Sequence, residues 1–300
     1  MPDGTSSLAS RGQKHHYIPV FYLKQWTGAD GRLCEFRRPH KAVKPRMTFP
    51  DGTGYDRGLY TFDELEPAVA DFLEQKFLLR SDHRAHEVFQ LLLTDQLQFD
   101  VDRRSRWSRF LMTLIHRSPE GVARLKRAIE DDIPAAMEKL RVEYAESRHE
   151  DGKPTFAEYC ASLFSGADLQ GTMLVAFQRV MNSELLGTAL NGMRWAVIRV
   201  KHPRYPLLTS DRPLIMPGGL GKPTGHLLMP ISPDRVFLAY HSQKTLDLVQ
   251  RMSDEQQPFA EEINSLIVRQ ARKYVWGTTD AQLRFVQNRL GEKIKWSPME

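Results

Sequence analysis

Arg194-Trp195-Ala196-Val197-Ile198-Arg199-Val200 is a short continuous run of aromatic and β-branched residues. Such a run suits a buried strand better than a helix. It ends a long stretch, roughly residues 63–191, in which apolar residues recur at helical spacing, with breaks read at Ser81-Asp82, Ser118-Pro119, Asp151-Gly152-Lys153-Pro154 and Ser165-Gly166. Beyond it, Leu207-Leu208-Thr209, Leu214-Ile215-Met216, Leu227-Leu228-Met229 and Val236 to Tyr240 read as further short strands separated by Pro and Gly. A helix over about 254–272, a strand at Tyr274 to Trp276 and a helical stretch over 280–290 follow. On the amino-terminal side, Leu33 to Arg38 and Val43 to Phe49 predict a small hairpin before the turn Pro50-Asp51-Gly52-Thr53-Gly54, and Leu59 to Phe62 an edge strand. Strands on both sides of a helical middle give an α+β class: an N-terminal hairpin and a C-terminal mixed or antiparallel sheet around a helical region. The expected organisation is a tail over 1–13, a single α+β domain over 14–291 with a helical insertion at about 63–191, and a tail over 292–300.

The composition supports a folded chain. Of 300 residues, 41% are hydrophobic and 26% charged, and no low-complexity tract interrupts them. Two cysteines, Cys34 and Cys160, belong to no metal or disulfide spacing, which fits a reducing cytoplasm. Residues 1–10 lack the apolar stretch of a secretory signal, and no segment approaches the roughly 20 apolar residues that span a bilayer. A cytoplasmic protein without membrane contact is expected. The net charge of +5 is unevenly spread: between residues 11 and 50, nine basic residues face two acids, Asp30 and Glu35. That segment, which also carries His15, His16 and His40, favours phosphate-bearing partners such as a nucleic acid or nucleotide.

Within it, Lys14-His15-His16-Tyr17-Ile18-Pro19-Val20-Phe21-Tyr22-Leu23 places two adjacent histidines before a proline-started helix that Gly28 can stop. Neighbouring side chains point apart, so one histidine is expected to face a pocket as general base or metal ligand while the other is structural. The second candidate is Asp211, in Thr209-Ser210-Asp211-Arg212-Pro213, a turn after an apolar strand. It can serve as a metal ligand or orienting carboxylate, or Ser210 and Asp211 can satisfy local amides in an Asx-type turn. Glu66 and Glu74, eight residues apart on one predicted helix, are secondary acidic candidates. Arg117 closes a helix containing Trp107, Phe110, Leu111 and Leu114, and Asn264 sits on a half-apolar face where an amide needs a partner. Arg109 and His116 share an Arg-x6-His spacing that resembles the active sites of small helical ribonucleases, although many helices satisfy it. Motifs of P-loop NTPases, Rossmann dehydrogenases, α/β-hydrolases and zincins are lacking.

In order, His15-His16-Tyr17-Ile18-Pro19-Val20-Phe21-Tyr22-Leu23-Lys24-Gln25-Trp26, the Leu59-Tyr60 strand with its Glu-containing helix, Arg117-Ser118-Pro119, Thr209 to Pro213, Met229-Pro230-Ile231-Ser232-Pro233, Asn264 and Arg272-Lys273-Tyr274-Val275 resemble domain-of-unknown-function family 4238. The resemblance runs from about His15 to Trp276 and implies no activity. From the residues, the expectation is a phosphodiesterase or nuclease using His15 or His16 with Asp211, with or without a divalent metal, Mg or Mn. The alternative is a non-catalytic binding or regulatory module in which the same residues are structural. Oligomeric state is left open by the sequence.

Overall fold

Leu33, Cys34, Glu35 and Phe36 are all buried, and no hairpin of two short strands can bury both its faces unaided. The computed structural model, which describes residues 14–59, 78–146, 155–156, 158–159, 183–200, 205–254 and 257–291, shows what covers them. Among the described residues nine strands form three antiparallel sheets. Strand β1 (Lys14–His16) pairs with β4 (Tyr55–Arg57). Strands β2 (Leu33–Arg37) and β3 (Lys44–Thr48) form the expected hairpin, which continues through β9 (Val275–Gly277) to β6 (Thr209–Ser210) in the order β3-β2-β9-β6. The third sheet joins β5 (Arg194–Arg199), β8 (Arg235–Tyr240) and β7 (His226–Ser232) in the order β5-β8-β7. The fold is α+β, and its C-terminal strands are antiparallel rather than mixed. The hairpin is not a separate unit, because its inner strand takes a partner from more than two hundred residues away.

The aromatic segment after β1 fixes the N-terminal region to these sheets. Pro19 stands just before helix Val20–Leu23, and a 3₁₀ turn Lys24–Trp26 follows. Tyr22 Oη lies 2.6 Å from Thr209 Oγ1 and donates to the Pro230 carbonyl at 2.7 Å, while Trp26 Nε1 donates to the Leu207 carbonyl at 2.8 Å. Both rings are fully buried, and truncating either costs about 3–5 kcal/mol on the scale of aromatic core deletions. Gly54, at φ +67°, accepts hydrogen bonds from the Tyr17 and Ile18 amides, and a Cβ there would come within 3.3 Å of both Leu23 and Ile18. The turn therefore requires glycine.

Helix Leu79–Leu93 packs Ala85, Val88, Phe89 and Leu92 against Trp107, Phe110 and Leu111 of helix Val101–His116, which Asp100 caps by accepting from the Arg103 amide. Trp107 also meets Phe237 of β8 at 5.6 Å between ring centroids, so these helices share one core cluster with the strands. A second cluster unites Phe36, Leu208, Val236, Ile263, Ile267 and Val275.

Several expectations are corrected. Helix Leu79–Leu93 runs straight through Ser81-Asp82, where a break was expected, because Ser81 is simply a small residue packed inward. Gly28 does not adopt the left-handed conformation; Gly31 does, at φ +74°. Leu214 to Met216 forms a single bridge, Ile215 to Leu228, rather than a strand. The helical stretch over 280–290 shortens to a 3₁₀ turn Asp280–Gln282 and helix Leu283–Gln287. Helix Gln243–Asp254 was not anticipated, since it packs on the body through a narrow stripe with only Val249 fully buried. The tails over 1–13 and 292–300, and most of the strand expected at Leu59 to Phe62, lie outside the described residues, as do Glu66 and Glu74. No helix of the described residues is long and apolar enough to cross a membrane.

Candidate functional site

Alternation along β1 separates its residues by face. Lys14 is exposed and His16 half-buried, while His15 between them is fully buried opposite Asp56 of β4. Lys14 and His16 form one wall of an open groove of about 400 Å³. Pro19, Val20, Phe21 and Lys24 continue that wall, and helix Leu79–Leu93 faces it with Leu79, Asp82, His83 and His86. These four positions follow i, i+3, i+4 and i+7, one face of the helix. The groove thus gathers three imidazoles and two lysines around Asp82.

Behind Asp82 lies Arg117, fully buried at the end of helix Val101–His116. Its Nη1 donates to both Asp82 oxygens, at 2.9 and 3.1 Å, and its guanidinium carbon lies 5.6 Å from the Phe110 ring centre. Arg117 Nε and Nη2 are buried without a protein hydrogen-bond partner. Asp82 is thereby neutralised by a charge that solvent does not reach, which leaves Lys14 and Lys24 to set the positive potential of the groove. Burial pushes the Asp82 carboxyl above the usual range, against the pull of Arg117.

The environment of His16 disfavours its charged form. Burial, reinforced by the Lys14 charge, holds its pKa below 6.5, while the Asp51 backbone works in the opposite direction. Its Nε2 is shielded from solvent and lacks a protein partner. His86 is held differently: its ring stacks on Phe21 at 5.1 Å and 11°, and Gln90 hydrogen-bonds its Nε2 at 2.9 Å.

Asp211 lies elsewhere. Only 6% exposed, it accepts from the amides of Arg272 at 2.9 Å, Lys273 at 2.6 Å and Tyr274 at 3.1 Å, and it lines no part of the groove. The expected meeting of an imidazole with Asp211 in an open cavity is therefore corrected: the carboxylate that lines the same groove as His16 is Asp82, and His15 and Asp211 are both buried. The Asx-type alternative is half realised. Ser210 closes the local turn with Arg212, whereas Asp211 reaches a loop 61 to 63 residues away. Burial pushes the Asp211 carboxyl up to about 6, opposed by the three amides. Asn264 is likewise committed, accepting from the Leu208 amide at 2.7 Å and donating to the Pro206 carbonyl at 3.0 Å and to Gln282 at 3.1 Å. Arg109 is exposed and His116 half-buried, with burial and Arg124 lowering the pKa of the latter.

Among the described residues, no group of three or more His, Cys, Asp or Glu side chains is arranged to hold a metal ion. Sequence reasoning missed Asp82, His83, His86 and Lys24. The signal was present in Asp82-His83 and His86 at one-helix-face spacing, but a helix broken at Ser81-Asp82 conceals it.

The family model for a protein of unknown function, DUF4238, matches residues 14–281. The chain belongs to this family. Its match begins at the first strand of the groove and extends past β9, so it takes in both walls. No curated protein and no solved structure matches the chain.

Proposed function

We propose that this DUF4238 protein is a phosphodiesterase or nuclease whose working site is the histidine groove rather than the Asp211 turn. The observation that carries the reading is the convergence of His16, His83 and His86 with Lys14 and Lys24 in one open groove. His16, whose Nε2 has no protein partner, takes the proton of the attacking hydroxyl as the new oxygen–phosphorus bond forms. His83 delivers a proton to the departing oxygen as the old bond breaks. Lys14 and Lys24 stabilise the negative charge that accumulates on the phosphoryl oxygens. Asp82, held by Arg117, fixes the helix face that presents His83 and His86. The sparse cysteines favour a cytoplasmic setting for this chemistry, and the basic segment favours a nucleic acid or nucleotide as substrate.

The test incubates purified protein with single-stranded RNA and DNA in EDTA, Mg²⁺ or Mn²⁺. Cleavage is expected, and His16→Ala should lower its rate by about 10²- to 10⁴-fold, the usual contribution of a positioned base. No cleavage of either polymer under any of the three conditions removes the reading. The rival, a binding or regulatory module, draws support from Asp211 and Asn264, whose polar atoms are committed to the scaffold. Retained ligand binding without turnover would favour it.

A further inference from the structure

Beside the histidine groove lies a second hollow of about 500 Å³, lined by Val20, Lys24, Thr27, Phe49, Pro50 and Asp51. The two adjoin: Val20 and Lys24 line both. Asp51 ties them further: its backbone carbonyl accepts from Lys14 Nζ at 3.4 Å, and its backbone also acts on His16.

The two hollows differ in chemistry. The first holds the histidines and Lys14; the second holds an aromatic ring and a carboxylate. Phe49 is 56% exposed, the most exposed aromatic among the large hydrophobic residues of the described surface. It follows directly on edge strand β3, after the buried faces of the hairpin have been satisfied, and no ring contact to it is recorded among the described residues. Its inner edge rests near Gly31, where even a Cβ would stand 3.7 Å from the ring. An aromatic ring left in water at the end of a phosphate-attracting groove presents a flat surface to the next chemical group of the ligand. Asp51 beside it disfavours a second phosphate there and suits an uncharged group bearing N–H donors.

We infer that the ligand of the groove is a nucleotide unit, its phosphate between Lys14, Lys24 and His16 and its base stacked on Phe49. This deepens the phosphodiesterase reading and rests on it. Lys24, common to both hollows, sits at the sugar–phosphate junction. The unit can be a free nucleotide or one residue of a single strand, and a strand has the further advantage of the exposed basic residues Lys44 and Arg46 on β3, immediately before Phe49.

Calorimetric titration of the full chain with inorganic phosphate, ribose 5-phosphate, adenosine 5′-monophosphate and a single-stranded hexanucleotide tests this. The nucleotide should bind more tightly than ribose 5-phosphate. Phe49→Ala should weaken the nucleotide and the hexamer by about 5- to 100-fold, as loss of base–aromatic stacking does, and leave inorganic phosphate and ribose 5-phosphate unchanged. Phe49→Trp should restore the loss. Tighter binding of the hexamer than of the mononucleotide identifies the strand as the source. Equal affinity for nucleotide and ribose 5-phosphate, or an unaltered nucleotide affinity in Phe49→Ala, overturns the base platform while phosphate binding still supports the groove. Failure of the wild type to bind all four overturns both.

Discussion

His15 and His16 are neighbours in sequence and opposites in fate. One is fully buried on β1, opposite Asp56 of β4 in the ladder. The other stands at the rim of a groove that solvent enters. Residue type did not distinguish them; the face of the strand did. The buried Asp211 spends its oxygens on three backbone amides, whereas His16 in the groove keeps an Nε2 with no protein partner. A polar residue becomes a candidate for chemistry only when the fold leaves it something to bind.

The sharpest way to break that comparison is Asp211→Ala. Three backbone amides would lose their acceptor, and the loss should be about 3–5 kcal/mol of unfolding free energy in urea titration. Loss of activity with unchanged stability would instead move Asp211 to the functional side. Asn264→Ala should follow at about 2–3 kcal/mol, because the Leu208 amide and the Pro206 carbonyl lose a shared partner in a buried loop. A cost within 0.5 kcal/mol, the usual range for ordinary surface substitutions, would show that the loop holds without it.

The smallest effect is also the most discriminating, because the two sides titrate with opposite sign. His16 is held below 6.5 in the folded chain. As pH falls through 6.5 the unfolded chain takes up that proton first, so His16 contributes a loss of stability towards acid that is absent in His16→Ala. Asp211 is pushed up to about 6 from 3.8. Here the folded chain takes up the proton first, so stability is gained as pH falls from 6 towards 3.8 and lost as it rises back through 6; Asp211→Asn should lack that gain. Urea midpoints for the wild type and both variants between pH 7 and 4 separate the contributions. The same sign for both would mean that the two sides are not different environments.

Much of the architecture was legible because it rests on local pattern. The Trp195 to Val200 strand, the hairpin at Leu33 and the capping of the helix at Ser118-Pro119 follow from period and turn chemistry within a dozen residues. The site was legible in half. His16 announced itself beside a proline-started helix, but its companions lie on a helix some seventy residues later, and no local pattern links Asp82 and His86 to Lys14. Asp211 misled for the same reason in reverse: its partners, the amides of 272 to 274, carry no side-chain signature at all. Backbone donors are invisible to a reading of residue types.

The hairpin of β2 and β3 borrows its inner neighbour from Val275 to Gly277, about 240 positions further along. Pairings of such long separation are the slow steps of folding, and during synthesis the chain must wait for its late segment before Cys34 to Phe36 find their backing. A nascent or truncated product lacking β9 therefore leaves the inner strand of that hairpin uncovered along one edge, a place where other chains can adhere.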